Sequence, residues 1–257
     1  MLDQFSRTRM LIGEQAMERL SNSTVAVFGI GGVGGHTVEA LIRSGVGRIA
    51  IIDDDKICLT NLNRQIIATR DTVGRNKVDV MAERIKSINP KAEVEAHQTF
   101  YGPDVAEQFD FSNYDYIVDA VDTVTAKLDL VKQANAANVP IISSMGAANK
   151  MDPTAFEVTD IYKTQNDALA RVMRRELRKL GIEKLKVVYS NETARKPIEN
   201  AADDCNKNCI CPADVQRTCA KRRQIPASNA FVPGTAGLIL AGCVITDLVE
   251  NILNNRV

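Results

Sequence analysis

Polar and charged positions at the start of the chain give way at Thr24-Val25-Ala26-Val27-Phe28 to a short apolar, β-branched run. The run is followed by the glycine-rich stretch Gly29-Ile30-Gly31-Gly32-Val33-Gly34-Gly35. This pattern predicts a buried strand that turns tightly into a helix over residues 36–44. Residues 1–20 read as one or two helices ahead of that strand. Gly45-Val46-Gly47 ends the first long helix, since glycine suits a left-handed cap. Arg48–Ile52 is the second strand and closes on Asp53-Asp54-Asp55. Residues 56–72 have no clean periodicity and read as a loop with one helical turn. Val73-Gly74 leads into a helix that places Val78, Met81, Ile85 and Ile88 on one face, and Asn89-Pro90 stops it.

Strands over residues 94–99, 116–120 and 140–144 then alternate with a short helix over 103–109 and a longer one over 125–138. Strands and helices in this order predict an α/β fold, a doubly wound, mostly parallel sheet of Rossmann-like type. In such sheets ligands sit beyond the carboxyl ends of the strands. Residues 29–35, 53–55, 119–122 and 143–146 all fall there. After Met151 the pattern changes to a strand over 154–160 that alternates as an antiparallel strand does, a helix over 166–180 and a strand over 186–190. A long polar connection over 191–230 and an apolar helix over 233–253 complete the chain. This predicts a C-terminal mixed α/β extension on the same sheet, with residues 1–257 forming a single domain.

Composition narrows the class. Of the 257 residues 45% are hydrophobic and 25% charged, ordinary for a globular protein with a full core. The 32 basic and 32 acidic side chains cancel, so a nucleic-acid site has to be a local patch. Residues 1–23 lack a signal-peptide core, and no uninterrupted apolar run reaches bilayer length, which points to a cytoplasmic protein with no membrane partner. Four of the six cysteines, Cys205, Cys209, Cys211 and Cys219, crowd into the 191–230 segment. In a reducing compartment such a cluster suggests a metal site, zinc or iron–sulfur, in a functional or mobile loop. Free thiols, one of them reactive, are the alternative. Cys58 and Cys243 read as structural, and His36 and His97 receive no role.

Gly29, Gly31 and Gly34 satisfy G-x-G-x-x-G, and Asp53 follows at the distance of a ribose-binding acid. Alone this suggests a dinucleotide. Arg64 and Lys77, however, add two cations to a site already lined by phosphate-binding amides, which suits a triphosphate undergoing nucleotidyl transfer. Asp119 or Asp122 would hold magnesium on the phosphate oxygens, Asp122 being favoured because Asp119 also reads as a strand-end turn residue. Arg171, Arg174, Arg175 and Arg178 share one face of the helix over 166–180, a basic stripe able to neutralise nucleic-acid phosphates. Lys221-Arg222-Arg223 would extend it.

Five motifs in order, Gly29-x-Gly31-Gly32-x-Gly34, Asp53-x-Asp55, Asn61-x-x-Arg64-Gln65, Val73-Gly74-x-x-Lys77 and Asp119-x-x-Asp122, resemble the adenylation domain of the ubiquitin-activating, ThiF and MoeB superfamily. The resemblance implies an ATP- and magnesium-dependent adenylyltransferase of carboxylates, a homodimer. It implies a glycine loop, including Gly32, on the triphosphate and Asp53 on the ribose. Asp55, Asn61 and Gln65 belong to the same nucleotide-binding set. Arg64 and Lys77 would bind phosphates, Asp122 would bind magnesium, and Arg7 resembles an arginine contributed across the dimer interface. The segments Ser143–Thr154, Thr159–Thr164 and Ser228–Pro233 are similar to the tRNA threonylcarbamoyladenosine dehydratase branch, which implies cyclisation of that nucleoside next to the tRNA anticodon. The cysteine cluster leaves a sulfur-transfer protein open as a further partner. Two alternatives stand beside this expectation: activation of the C-terminus of a ubiquitin-like sulfur carrier, and a non-catalytic nucleotide- or tRNA-binding module.

Overall fold

The computed structural model describes residues 2–198 and 226–254. In chain order the elements are α1 (Ser6–Ile12), α2 (Glu14–Ser21), β1 (Thr24–Phe28), α3 (Gly34–Ser44), β2 (Arg48–Ile52), α4 (Lys77–Ile88) and β3 (Glu93–His97). They continue with β4 (Tyr116–Asp119), α5 (Val124–Ala136), β5 (Ile141–Ser144), β6 (Phe156–Asp160), α6 (Ala168–Lys179), β7 (Lys186–Ser190) and α7 (Val232–Asn254). The expected helix over 103–109 is only a 3-10 turn, Ala106–Gln108. That stretch is too short to propagate a helix, and Phe109 and Phe111 are instead drawn into an aromatic cluster on Phe28 and Tyr101.

Seven strands form one sheet in the order β3-β2-β1-β4-β5-β7-β6. All neighbours are parallel except β6 and β7. The expected doubly wound sheet with a mixed extension is therefore present. From β1 the chain winds outward to β2 and β3, then returns to the other side of β1 for β4 and β5. The crevice between the carboxyl ends of β1 and β4 is thus the point where strand order reverses, the position at which open α/β sheets bind ligands.

Both faces of the sheet are covered, as the near-continuous apolar strands require. On one face Val38, Leu41, Ile42, Met81, Ile85, Leu240 and Val244 from α3, α4 and α7 cover Val25, Val27, Ile49 and Ile51. On the other, α5 and the aromatic cluster cover Ala26, Phe28, Ala50 and Ile117. Helix α6 closes the β5–β7 end through Met173 and Leu177. Leu180, just past the end of α6, is half exposed. Helix α7 reaches the length and average apolar composition of a membrane span, although Thr235, Thr246 and Asp247 interrupt its apolar run, and half of that stretch is buried against the protein. Its packing partners are mainly α3 and α2, so its apolar character is that of a core helix.

Candidate functional site

The glycine loop leaves β1 at Gly29, whose φ of 88° lies in the region that favours glycine. A Cβ there would stand 2.7 Å from the Ala120 carbonyl oxygen, and one on Gly34 only 1.8 Å from the Gly29 carbonyl oxygen. These contacts pull the start of α3 onto the end of β1 and bring the β4 turn against the loop. Gly31 differs: apart from its chain neighbours, nothing among the described residues lies within 4 Å of the position its Cβ would take. The open side of the loop is therefore at Gly31, beside the amino end of α3, where amides and helix dipole favour an anion.

Asp53 ties the next strand to this loop. Its Oδ2 accepts the Ile30 N–H at 2.6 Å and its Oδ1 accepts the Asp55 N–H at 2.9 Å. Lys77 starts α4 and is buried, with Nζ 2.7 Å from Asp55 Oδ2 and 3.4 Å from Asp53 Oδ1. Burial by itself would lower the Lys77 pKa, but Asp53 and Asp55 outweigh it and hold the pKa above the ordinary lysine value. The ammonium is therefore charged and seated among acids. Asp54 shifts the other way: burial, then Asp55 and Asp53, raise its carboxyl pKa.

The loop after β2 is organised by Asn61, whose Oδ1 accepts the Cys58 N–H and whose carbonyl accepts the Arg64 and Gln65 N–H groups. Arg64 Nη1 donates to the Thr60 carbonyl at 3.0 Å and to Asn63 Oδ1 at 2.9 Å. Its Cγ lies 3.3 Å from the Cβ position of Gly32, so the guanidinium stem flanks the glycine loop. Gln65 is buried, and its Oε1 has no hydrogen-bond partner among the described residues. Glycine loop, Asp53, Asp55, Asn61, Arg64, Gln65 and Lys77 thus share one end of the crevice.

Asp119 and Asp122, at the end of β4, separate sharply. Asp119 is fully buried and both oxygens are engaged: Oδ1 accepts the Val121 N–H and Lys127, Oδ2 accepts Lys127 and the Ser143 hydroxyl. It has no open face for a cation. Asp122 is exposed at the mouth of the crevice, one turn beyond Ala120. A carboxylate so placed suits magnesium, a hard cation that takes oxygen ligands and keeps several waters.

Other expected residues lie elsewhere. Arg7 is exposed on α1, and no hydrogen bond or ion pair among the described residues joins it to the glycine loop. In α6, Arg171, Arg175 and Arg178 are exposed, Arg175 pairing with Glu176 at 2.7 Å and Arg178 lying 5.2 Å from the Tyr162 ring centroid. Arg174 departs from the expected stripe: it is partly buried and donates to the Thr164 carbonyl and hydroxyl. Cys205, Cys209, Cys211, Cys219 and the Lys221-Arg222-Arg223 run lie outside the described residues. The Cys58 sulfur shares a hydrogen bond with the Thr60 hydroxyl, and burial raises the Cys243 pKa.

Two buried lysines escaped the sequence reading. Lys127 joins Asp119 to the Ser144 carbonyl, and Lys150 pairs with Asp167, 3.2 Å away, while donating to the Ser190 carbonyl at 2.8 Å. The carbonyl of Lys150 also accepts from Asn229 Nδ2, and Asn229 Oδ1 caps the start of α7. No spacing rule marks a lysine in a helix, as Lys127, or in a loop, as Lys150, as buried. The available signal for Lys150 was Asp167, an acid without an assigned role at the start of α6.

The model of the ThiF family matches residues 5–255. A Bacillus subtilis protein named tRNA threonylcarbamoyladenosine dehydratase is 46% identical over 258 residues, covering 100% of this chain and 99% of that protein. The crystal structure of Escherichia coli tRNA N6-threonylcarbamoyladenosine dehydratase in complex with ATP superposes with a TM-score of 0.83 at 32% identity, covering 99% of this chain and 96% of that one. A sulfur carrier protein adenylyltransferase from Thermus thermophilus is 34% identical over 123 residues, which is 47% of this chain and 45% of that protein. With the family model matched over residues 5–255, nearly the whole length, the chain belongs to the ThiF family.

Proposed function

We propose that this protein is an ATP-dependent tRNA threonylcarbamoyladenosine dehydratase. The observation that carries the reading is a nucleotide crevice of ThiF type combined with full-length similarity to dehydratases bearing that name. Similarity to the sulfur-carrier adenylyltransferase covers less than half of the chain, so carrier activation is the weaker reading.

In the proposed reaction a carboxylate oxygen of the threonylcarbamoyl group attacks the α-phosphorus of ATP and pyrophosphate leaves. The neighbouring carbamoyl group then attacks the acyl carbon, AMP departs with that oxygen, and the ring closes. The glycine loop and the amino end of α3 receive the phosphates, Asp53 faces the ribose, and Arg64 and Lys77 offset the negative charge. Lys77 serves this role by exchanging one carboxylate partner, Asp55, for a phosphate. Asp122 would hold magnesium, which when bound neutralises phosphate oxygens. No protein nucleophile is required, so positioning and charge neutralisation supply the acceleration.

Arg171, Arg175 and Arg178 are proposed to meet tRNA phosphates, a local basic face on a protein of zero formal charge. Leu2, Met10 and Leu11 are more than four-fifths exposed around Arg7, and a second copy of the chain is proposed to cover them. Cys205, Cys209, Cys211 and Cys219 are proposed as a zinc or iron–sulfur site and as the place where a sulfur-transfer protein would engage. Metal analysis of the purified protein tests that site. A cytoplasmic location follows from the ATP and tRNA substrates.

Purified protein incubated with ATP and threonylcarbamoyladenosine-containing tRNA should release AMP and yield a nucleoside lighter by one water. Adenylate formation that requires a sulfur-carrier protein and ignores tRNA would replace this reading. Unchanged tRNA modification in cells carrying Lys77→Ala would favour a non-catalytic module.

A further inference from the structure

Two loops leave the carboxyl ends of β4 and β5 on the side of the crevice opposite the glycine loop. The first, Ala120–Thr123, carries Asp122. The second, residues 145–150, leads to the dehydratase-like segment and to α6. Asp119 and Ser143 are the last residues that pair β4 with β5; beyond them each loop is still tied to its other neighbour, Ala120 to Phe28 and Met145 to Val188, but no longer to the other loop.

Lys127 lies where they diverge. Its side chain is 1% exposed and its partner Asp119 is fully buried. The Nζ is 3.0 Å from both oxygens of Asp119, 3.3 Å from Ser143 Oγ and 2.7 Å from the Ser144 carbonyl oxygen. An ammonium has three protons, so these partners use its donor capacity fully. Asp119 in turn accepts the Val121 N–H at 3.2 Å, which sets the turn that points Asp122 outward and lays Ala120 against Gly29. One buried cation therefore fixes the first residues of both loops. A methionine of similar shape would pack in the same space, so packing alone does not call for a charge. The ion pair instead makes the separation of the two loop mouths a single-valued distance.

We infer that Lys127 is a positioning residue for the dehydration. Through Asp119 and Ser144 it holds the two loops that face the bound nucleotide, and so sets the gap in which the adenylated carboxylate meets its internal nucleophile. It touches neither nucleotide nor tRNA. The inference rests on the dehydratase reading above, and the experiment separates the two.

Three proteins are compared: wild type, Lys127→Met, and the charge-neutral pair Asp119→Asn with Lys127→Met. The readouts are thermal midpoint, ATP affinity by calorimetry, amide hydrogen exchange over residues 144–147, and AMP release with modified tRNA. Lys127→Met alone leaves a buried acid uncompensated and lowers the midpoint. The double variant regains most of that loss and binds ATP within about threefold of wild type, yet exchanges about tenfold faster over 144–147 and turns over at least about tenfold more slowly. A residue with only a structural role predicts that turnover and exchange recover together with the midpoint. Double-variant turnover within about threefold of wild type overturns the inference, as does a loss that only follows the folded fraction. Should wild type itself release no AMP with modified tRNA, the dehydratase reading fails instead.

Discussion

Adding one methyl group at either of two glycines in the same loop should have opposite effects. At Gly34 the new Cβ would stand 1.8 Å from the Gly29 carbonyl oxygen, whereas real Cβ contacts essentially never fall under 3.0 Å. The obstacle is backbone, so α3 must retreat from β1 by about 1.2 Å or more, against the tight packing of a protein interior. Overpacking of this kind costs about 3 kcal/mol. At roughly 2–4 °C per kcal/mol for a chain of this size, the midpoint should drop by about 6–12 °C. At Gly31 the methyl meets, beyond its chain neighbours, no atom of the described residues within 4 Å. Its stability should stay within about 1 kcal/mol of wild type, with any change favourable through the unfolded chain. It would, however, stand between the loop amides and an incoming phosphate. A weakening of at least about 1.4 kcal/mol, or tenfold in affinity, follows for Gly31→Ala. Differential scanning fluorimetry and ATP calorimetry on both variants check the pair. Refutation would be a well-folded Gly31→Ala protein that binds ATP as tightly as wild type, because the open face of the loop would then not be where phosphates approach.

Other outcomes follow from the same geometry. Lys77→Met should lower turnover by about 100- to 1000-fold, as loss of one preorganised charge in a site does, and single-turnover AMP formation measures it. Its stability cost should be about 1–3 kcal/mol, less than for a fully buried pair because the Asp55 side chain is 46% exposed. The raised Lys77 pKa gives this contribution a sign: it is fully present below the unfolded lysine pKa near 10.4 and is lost as pH rises through the folded value. Alkaline unfolding should be steepened by tyrosines. Burial, then Glu95 and Asp110, push Tyr114 up to about 12, so the stability it confers is intact below about pH 10 and disappears between pH 10 and 12. Absorbance of tyrosinate during a pH-jump titration should therefore rise together with unfolding. Replacing Arg171 and Arg175 by alanine should reduce the salt slope of tRNA binding by about 2 while ATP affinity stays unchanged, which filter binding across salt concentrations tests. Removing magnesium should abolish turnover with the midpoint kept within about 2 °C, because the ligand proposed for it, Asp122, is exposed whereas Asp119 is buried.

Residue pattern alone exposed the alternation of strands and helices, because the central strands β1, β2 and β4 are short apolar runs and helices such as α4 and α6 carry an apolar face. The glycine loop, Asp53, Arg64 and Lys77 were legible too, each adjoining a strand end or a helix start where ligands gather. Less visible was what Asp53 and Lys77 do before any nucleotide arrives: Asp53 holds the Ile30 N–H, and Lys77 rests on two acids. Such contacts cross between segments far apart in sequence, and no local period records them. Lys127 and Lys150 were missed for the same reason. A lysine is usually solvated, whether in a helix as Lys127 or in a loop as Lys150, and only the folded sheet brings Asp119 and Ser144, or Asp167 and Ser190, around these ammonium groups. Arg174 illustrates the converse. Its spacing matched an exposed stripe, but the Thr164 turn lies against that part of α6 and takes the guanidinium. The apolar C-terminal helix read over 233–253 is present as α7, Val232–Asn254.

The central claim is that ATP activates a carboxylate on the tRNA and that the ring then closes on the activated carbon. A single-turnover reaction with tRNA whose threonylcarbamoyl carboxylate carries heavy oxygen at both positions addresses it directly, with mass spectrometry of the AMP and of the nucleoside. The account predicts one heavy oxygen in AMP for each cyclic nucleoside formed, and one retained in the product. AMP without heavy oxygen, alongside a nucleoside that has lost water, would contradict it.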